Sequence, residues 1–155
     1  MIERTEICRF VYCSNLASED KMFADLEVAF RRFQIDGRLE YEIKLCISEA
    51  FSNALTHGNK LDSSKRVILT LHVNTIEVRA DIEDEGQGAA NKIQGRQSPE
   101  QMDESGRGVD LIERYASRVT LDESVSGGLL LRMWFTRNPN ELRQRTSKKT
   151  ILTKP

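Results

Sequence analysis

Three polar residues recur at every fourth position in the stretch SEAFSNALTHGNK, residues 48–60: Glu49, Asn53 and His57. A helix advances about 100° per residue, so this spacing makes a slowly drifting row. The row lies beside an apolar face of Leu39, Ile43, Ile47, Ala50 and Ala54. A carboxylate and a carboxamide one turn apart suit divalent-metal and phosphate chemistry. The side-chain carbonyl oxygen of Asn53 can ligate Mg²⁺, a hard ion that prefers oxygen. Glu49 can take a proton from an attacking hydroxyl or water. Taken alone, the row reads first as the polar edge of a packing helix.

Two glycine-containing groups follow. The first is DEGQG, Asp84 to Gly88, directly after a strand pattern, which puts Asp84 at a strand end where binding residues often lie. Gly86 and Gly88 let the backbone approach a flat ligand closely. An ionised carboxylate only accepts hydrogen bonds, which suits an exocyclic amine such as adenine N6. The second is ESGRGVDLI, where Gly106 and Gly108 flank Arg107 ahead of a helix at 109–116. Backbone N–H groups at a helix start, reached through a glycine loop, bind phosphate well. Arg107 reads equally as a phosphate or partner contact and as a solvated arginine. Each group alone is a weak signal, an acidic turn or a flexible glycine entry. Their order is specific: Glu-x-x-x-Asn, a strand-end DxGxG, then a GxG opening a helix.

The elements that must position these residues follow from periodicity. Residues 5–13 alternate as a strand. Residues 16–33 carry Met22, Phe23, Leu26, Ala29, Phe30 and Phe33 at helical spacing, with Ser18 as the expected N-cap. Gly37 marks a break, and a second helix follows, ended by Gly58. Residues 65–86 read as two strands joined near Asn74-Thr75. One buries Val67, Leu69, Leu71 and Val73, and the other Ile76, Val78, Ala80 and Ile82. A long Gly-, Gln- and Ser-rich loop spans 86–107. After the short helix, a last hairpin turns at Ser126, Gly127 and Gly128. The expected fold class is α/β (α+β), a two-layer sandwich of a mixed, mostly antiparallel sheet covered on one face by helices. The expected domain is 1–137. The basic tail 138–155, with Arg143, Arg145, Lys148, Lys149 and Lys154 against Glu141, reads as solvated.

A chain of 155 residues suits one domain. A net charge of -1 does not announce a nucleic-acid or membrane partner. The sequence offers no signal peptide and no apolar stretch long enough to span a bilayer, so a cytoplasmic protein is expected. Cys8, Cys13 and Cys46 are an odd set without a CxxC pair, which argues against zinc or a disulfide framework and for mostly buried thiols.

Taken together, the boxes resemble those of the GHKL (Bergerat-fold) ATPase superfamily, which includes the ATPase domains of gyrase, histidine kinases and mismatch-repair proteins. The N-box is similar to Glu49-Ala-Phe-Ser-Asn53-Ala, the G1 box to Asp84-Glu-Gly86-Gln-Gly88 and the G2 box to Gly106-Arg-Gly108. Within the superfamily the chain looks most like the free-standing anti-sigma factor serine/threonine kinases of bacterial partner-switching systems, whose EAxxNAxxHG pattern extends here to His57-Gly58. That resemblance implies Mg-ATP as cofactor, with Glu49 as general base, Asn53 holding Mg²⁺ and Asp84 reading adenine. Gly86, Gly88, Gly106 and Gly108 would shape the nucleotide pocket and phosphate loop, and residues 89–107 the ATP lid. It implies three partners: a small antagonist phosphorylated on Ser/Thr, a sequestered sigma factor or other regulated protein, and a second copy paired near the N-terminus. His57 has no chemical role in this scheme and reads as a capping or structural residue.

Two departures stand out. The family has a Gly-Thr pair opening the last strand, with the Thr near adenine, where this chain has Gly127-Gly128-Leu129; and Val109 stands where Leu is common. A nucleotide-dependent sequestration module without transfer is therefore a second reading. Glu49 favours the kinase, because sequestration needs no base, whereas the absent Thr favours the module. A detached sensor-kinase domain is a weaker third reading, since it does not usually carry His-Gly after the N-box.

Overall fold

The computed structural model describes residues 3–87 and 106–138, with the backbone alone for 106–109. Its elements are β1 (Glu6–Cys13), α1 (Ala17–Arg32), α2 (Gly37–Asn53), a π-helical turn (Ala54–Gly58), β2 (Arg66–Val73), β3 (Glu77–Asp84), α3 (Gly106–Tyr115), β4 (Arg118–Glu123) and β5 (Leu129–Thr136). The strands form one sheet in the order β1-β2-β3-β5-β4. All four pairings are antiparallel, so the expected mixed sheet contains no parallel pair among the described residues. The α+β two-layer architecture is as the periodicity predicts.

Strand alternation decides what faces the helices. β2 buries Val67, Leu69, Leu71 and Val73, and β3 buries Val78, Ala80 and Ile82. Asp84 has the same parity as those three, so the pleat turns its carboxylate into the helical layer. Ile76, expected on that face, precedes the strand and is exposed. Asn74 closes the turn, its Oδ1 accepting the N–H groups of Ile76 and Glu77 at 2.9 and 2.8 Å. Against the sheet lie Met22, Leu26 and Phe30 of α1 and Ile43, Ile47 and Phe51 of α2, all fully buried. Phe51 packs edge-on against Tyr12 with ring centroids 5.3 Å apart.

Among the described residues no helix packs on the other sheet face, which carries charged and aromatic contacts. Asp81 binds Arg79 at 3.0 Å and His72 at 3.2 Å. The Arg118 guanidinium sits 3.8 Å over the Trp134 ring. Desolvation, reinforced by the Arg79 charge, lowers the His72 pKa.

Two local expectations change. Ser18 is not the N-cap: Asn15 Oδ1 accepts the Ser18 N–H at 3.1 Å, while the Ser18 hydroxyl donates to the Cys13 carbonyl at 2.6 Å. Asn15 caps because it stands three residues before the N–H it receives. The thiols are not mostly buried: Cys46 is, and burial pushes its pKa up to about 12, but Cys8 is half-buried and Cys13 exposed. Cys13 is exposed because it lies on the outward parity of an edge strand. Finally, Arg137 is structural. Its guanidinium donates to the Phe33 carbonyl at the end of α1 and to the Asn74 carbonyl, and desolvation lowers its pKa. A cation at a helix C-terminus meets the negative end of the dipole. Among the described residues no helix is long and apolar enough to cross a membrane.

Phe51 lies on α2 between Glu49 and Asn53 and anchors that helix to the core. Phe51→Ala is expected to destabilise the fold by about 3–5 kcal/mol, read from chemical denaturation. A loss below about 1 kcal/mol would show that α2 does not depend on this contact.

Candidate functional site

The site begins with Asp84, the last residue of β3, only 4% exposed. Its Oδ1 accepts the N–H of Gly86 at 2.9 Å and that of Leu129 at 3.1 Å. Three glycines from three segments converge on it. A Cβ at Gly58 would overlap the Asp84 carboxylate, one at Gly128 its main-chain carbonyl, and one at Gly86 the Gly58 carbonyl. The walls around this acid are therefore backbone, and the absence of side chains makes the slot.

Gly58 ends the π-helical turn that follows α2, so the helix bearing Glu49 and Asn53 reaches the strand end bearing Asp84. Glu49 and Asn53 are both half-buried. Asn53 is the last α-helical residue. From Ala54 the turn widens, closed by the Asn59 N–H to the Ala54 carbonyl at 2.8 Å. A turn holding an extra residue breaks the four-residue row, and His57 is carried out to an exposed position. The expected helix to Gly58 thus becomes an α-helix to Asn53 plus a π turn, a feature that often occurs at functional sites.

Asn59 joins these pieces. It is 1% exposed, its Nδ2 donates to Ser14 Oγ and to the Arg66 carbonyl, and its Oδ1 accepts the Glu85 N–H at 2.8 Å. The β1–α1 loop, the start of β2, the π turn and the residue after Asp84 meet on one carboxamide. Sequence reasoning missed it. The local signal was an Asn directly after a helix-ending glycine, but three of its bonds reach residues 7, 26 and 45 positions away.

The helix α3 starts at Gly106, so Gly106, Arg107 and Gly108 form its first turn instead of a loop ahead of position 109. The first-turn N–H groups lack partners within their own helix, as a phosphate site requires. Gly88, the side chain of Arg107, the rest of the expected lid and the tail 139–155 lie outside the described residues. At the last hairpin, the Ser124 and Ser126 hydroxyls are 2.9 Å apart, and each lies 3.4 Å from the Asp84 main-chain oxygen.

Among the described residues no three His, Cys, Asp or Glu side chains gather to hold a metal. A cation here would take oxygen from Asn53 or Glu49 and complete its shell with phosphate and water. That donor set fits Mg²⁺, which keeps waters and phosphate ligands.

Comparison with known proteins gives a consistent result. The family model described as histidine kinase-like ATPase domain matches residues 14–135. The chain is 31% identical over 117 residues to the anti-sigma F factor of Geobacillus thermodenitrificans (strain NG80-2), covering 72% of this chain and 80% of that one. It is 33% identical over 104 residues to the anti-sigma F factor of Clostridium perfringens (strain SM101 / Type A), covering 63% and 74%. Against the anti-sigma F factor of Bacillus subtilis (strain 168) it is 29% identical over 122 residues, covering 75% and 84%.

Removing the Asn59 carboxamide would take their partner from the part-buried N–H of Glu85 and carbonyl of Arg66 and from the buried Ser14 hydroxyl. Asn59→Ala is expected to cost about 1–3 kcal/mol in chemical denaturation. A neutral substitution would show that water replaces the carboxamide.

Proposed function

The chain belongs to the histidine kinase-like ATPase domain family, and from that premise we propose that it is an anti-sigma factor serine/threonine kinase. In this reading it binds Mg-ATP, sequesters a sigma factor or other regulated protein, and phosphorylates a small antagonist on Ser/Thr. The observation that carries the proposal is the Asp84 slot: a buried carboxylate, walled by glycine backbone, touching the end of the helix that bears Glu49 and Asn53.

Each residue has a role that its position supports. Asp84 accepts a hydrogen bond from the exocyclic amine of adenine, and the glycine walls at Gly58, Gly86 and Gly128 let the flat base lie close. Gly88 is proposed to line the same pocket by its place in the DxGxG box. The N–H groups of Gly106, Arg107 and Gly108, in the first turn of α3, point at phosphate oxygens. Asn53 would hold Mg²⁺, which when bound neutralises charge on the phosphates. Glu49 accepts the proton of the partner's hydroxyl as its oxygen bonds to the γ-phosphorus. The bond to the β-phosphate oxygen breaks, and ADP leaves. Charge compensation and alignment supply most of the rate in such transfers.

The relatives are named anti-sigma F factors, which supports a sigma factor as one partner. A second copy is a further expected partner. Edge strand β1 leaves Ile7 62% and Val11 39% exposed, on the sheet face that no described helix covers. Apolar side chains on an open edge strand favour pairing with another chain.

Incubated with labelled ATP, Mg²⁺ and its antagonist, the wild-type protein is expected to label the antagonist. Glu49→Ala should lower transfer by at least about 100-fold while ATP still binds. Equal transfer by that variant removes Glu49 as base. No transfer by the wild type to a verified antagonist leaves a nucleotide-dependent sequestration module. Separately, Asp84→Asn should weaken ATP binding by about tenfold or more in a titration, since the amide places a donor against a donor.

A further inference from the structure

We propose that the Ser124–Ser126 hydroxyl pair is a positioning element for Asp84 and sets the preference for a purine bearing an exocyclic amine. The inference rests on the reading that Asp84 receives that amine. Asp84 is gripped from two directions. The β4–β5 turn supplies the Leu129 N–H to its Oδ1 at 3.1 Å, and the same turn aims two hydroxyls at its main-chain oxygen.

The turn is itself closed. The Ser124 N–H donates to the Gly128 carbonyl at 2.7 Å and the Gly127 N–H to the Ser124 carbonyl at 3.0 Å. Gly127 takes φ +84, which a side chain would strain. This fixed turn presents the Leu129 N–H and the two hydroxyls in one rigid relation. Gly128 lies so close to the Asp84 carbonyl that no side chain fits at that position. A hydroxyl can reach Asp84 there only from elsewhere in the turn, and Ser124 and Ser126 provide it.

Proton counting sharpens the arrangement. Two hydroxyls carry two protons. One is used between the oxygens, 2.9 Å apart, and the other is left for the Asp84 carbonyl. Whichever hydroxyl donates to the other, the pair behaves as one donor to Asp84. Each contact to the carbonyl is 3.4 Å, long for an O–H···O bond, so the pair adjusts the Asp84 main chain, from which the carboxylate projects, instead of carrying the fold. Ser124 is buried and Ser126 exposed, which places the outer hydroxyl at the solvent side of the slot.

The test compares ATP with purine riboside triphosphate, which lacks the exocyclic amine, by titration of the full chain. Wild type should prefer ATP. Ser124→Ala combined with Ser126→Ala should lose about threefold to tenfold in ATP affinity while purine riboside triphosphate binds as before, so the preference shrinks. Ser126→Thr, which keeps the hydroxyl, should keep the preference. Equal losses for both nucleotides, or an unchanged preference in the double variant, overturn this inference and leave the Asp84 reading standing. A wild type that binds both nucleotides equally overturns both. If the double variant does not fold, Ser126→Ala alone, at an exposed turn position, makes the same comparison.

Discussion

A carboxylate only 4% exposed to water has to find its hydrogen-bond donors in the protein, and Asp84 finds them in backbone. That requirement organises the end of the sheet. The Gly86 and Leu129 N–H groups can reach Oδ1 only if their segments approach without intervening side chains. Glycine stands at 58, 86 and 128 for that reason, since a Cβ at any of them would occupy space already filled. Backbone from all three segments thus packs directly around the carboxylate.

Other elements serve to bring these three segments together. The pleat of β3 gives Asp84 the parity of Val78, Ala80 and Ile82, so the apolar core that packs those residues also aims the acid inward. α2 lies on β3 and β5, anchored by Phe51, and its π turn carries Gly58 onto Asp84. Asn59 then ties the helix end to the residue after Asp84, so displacement of one strains the other. The β1–α1 loop, the start of β2, the π turn and the end of β3 are thereby linked through one buried carboxamide.

The two faces of the sheet divide labour. The inner face supplies the core and the site. The outer face is held by ion pairs and by Arg118 over Trp134, with Ile7 and Val11 exposed on the edge strand β1. Arg137, just past β5, fastens the hairpin turn at Asn74 to the end of α1, closing the end of the molecule remote from Asp84 along β3.

Much of this was legible in the chain. Periods of two and 3.6 located the strands and helices, because burial of one face imposes those periods on local sequence. The family boxes singled out Glu49, Asn53, Asp84 and the glycines. The errors were those that local patterns cannot resolve. His57 shares the spacing of Glu49 and Asn53, yet a π turn, set by how the helix end meets β3, removes it from their row. Ser18 looked like a cap because it is polar, but the geometry favoured Asn15. The absent threonine near the last strand left a gap in the sequence argument, and the tertiary structure places two other hydroxyls, Ser124 and Ser126, beside the Asp84 main chain. The sequence by itself determined element types and the strand-end position of Asp84, and it named the candidate residues Glu49, Asn53 and Asp84. Tertiary structure alone decided that Gly58, Gly86 and Gly128 meet on one carboxylate and that Asn59 bonds across 45 residues to Ser14. The physical reason is that period and propensity act over a few residues, whereas close approach and hydrogen-bond completion depend on segments that meet only once the chain has folded.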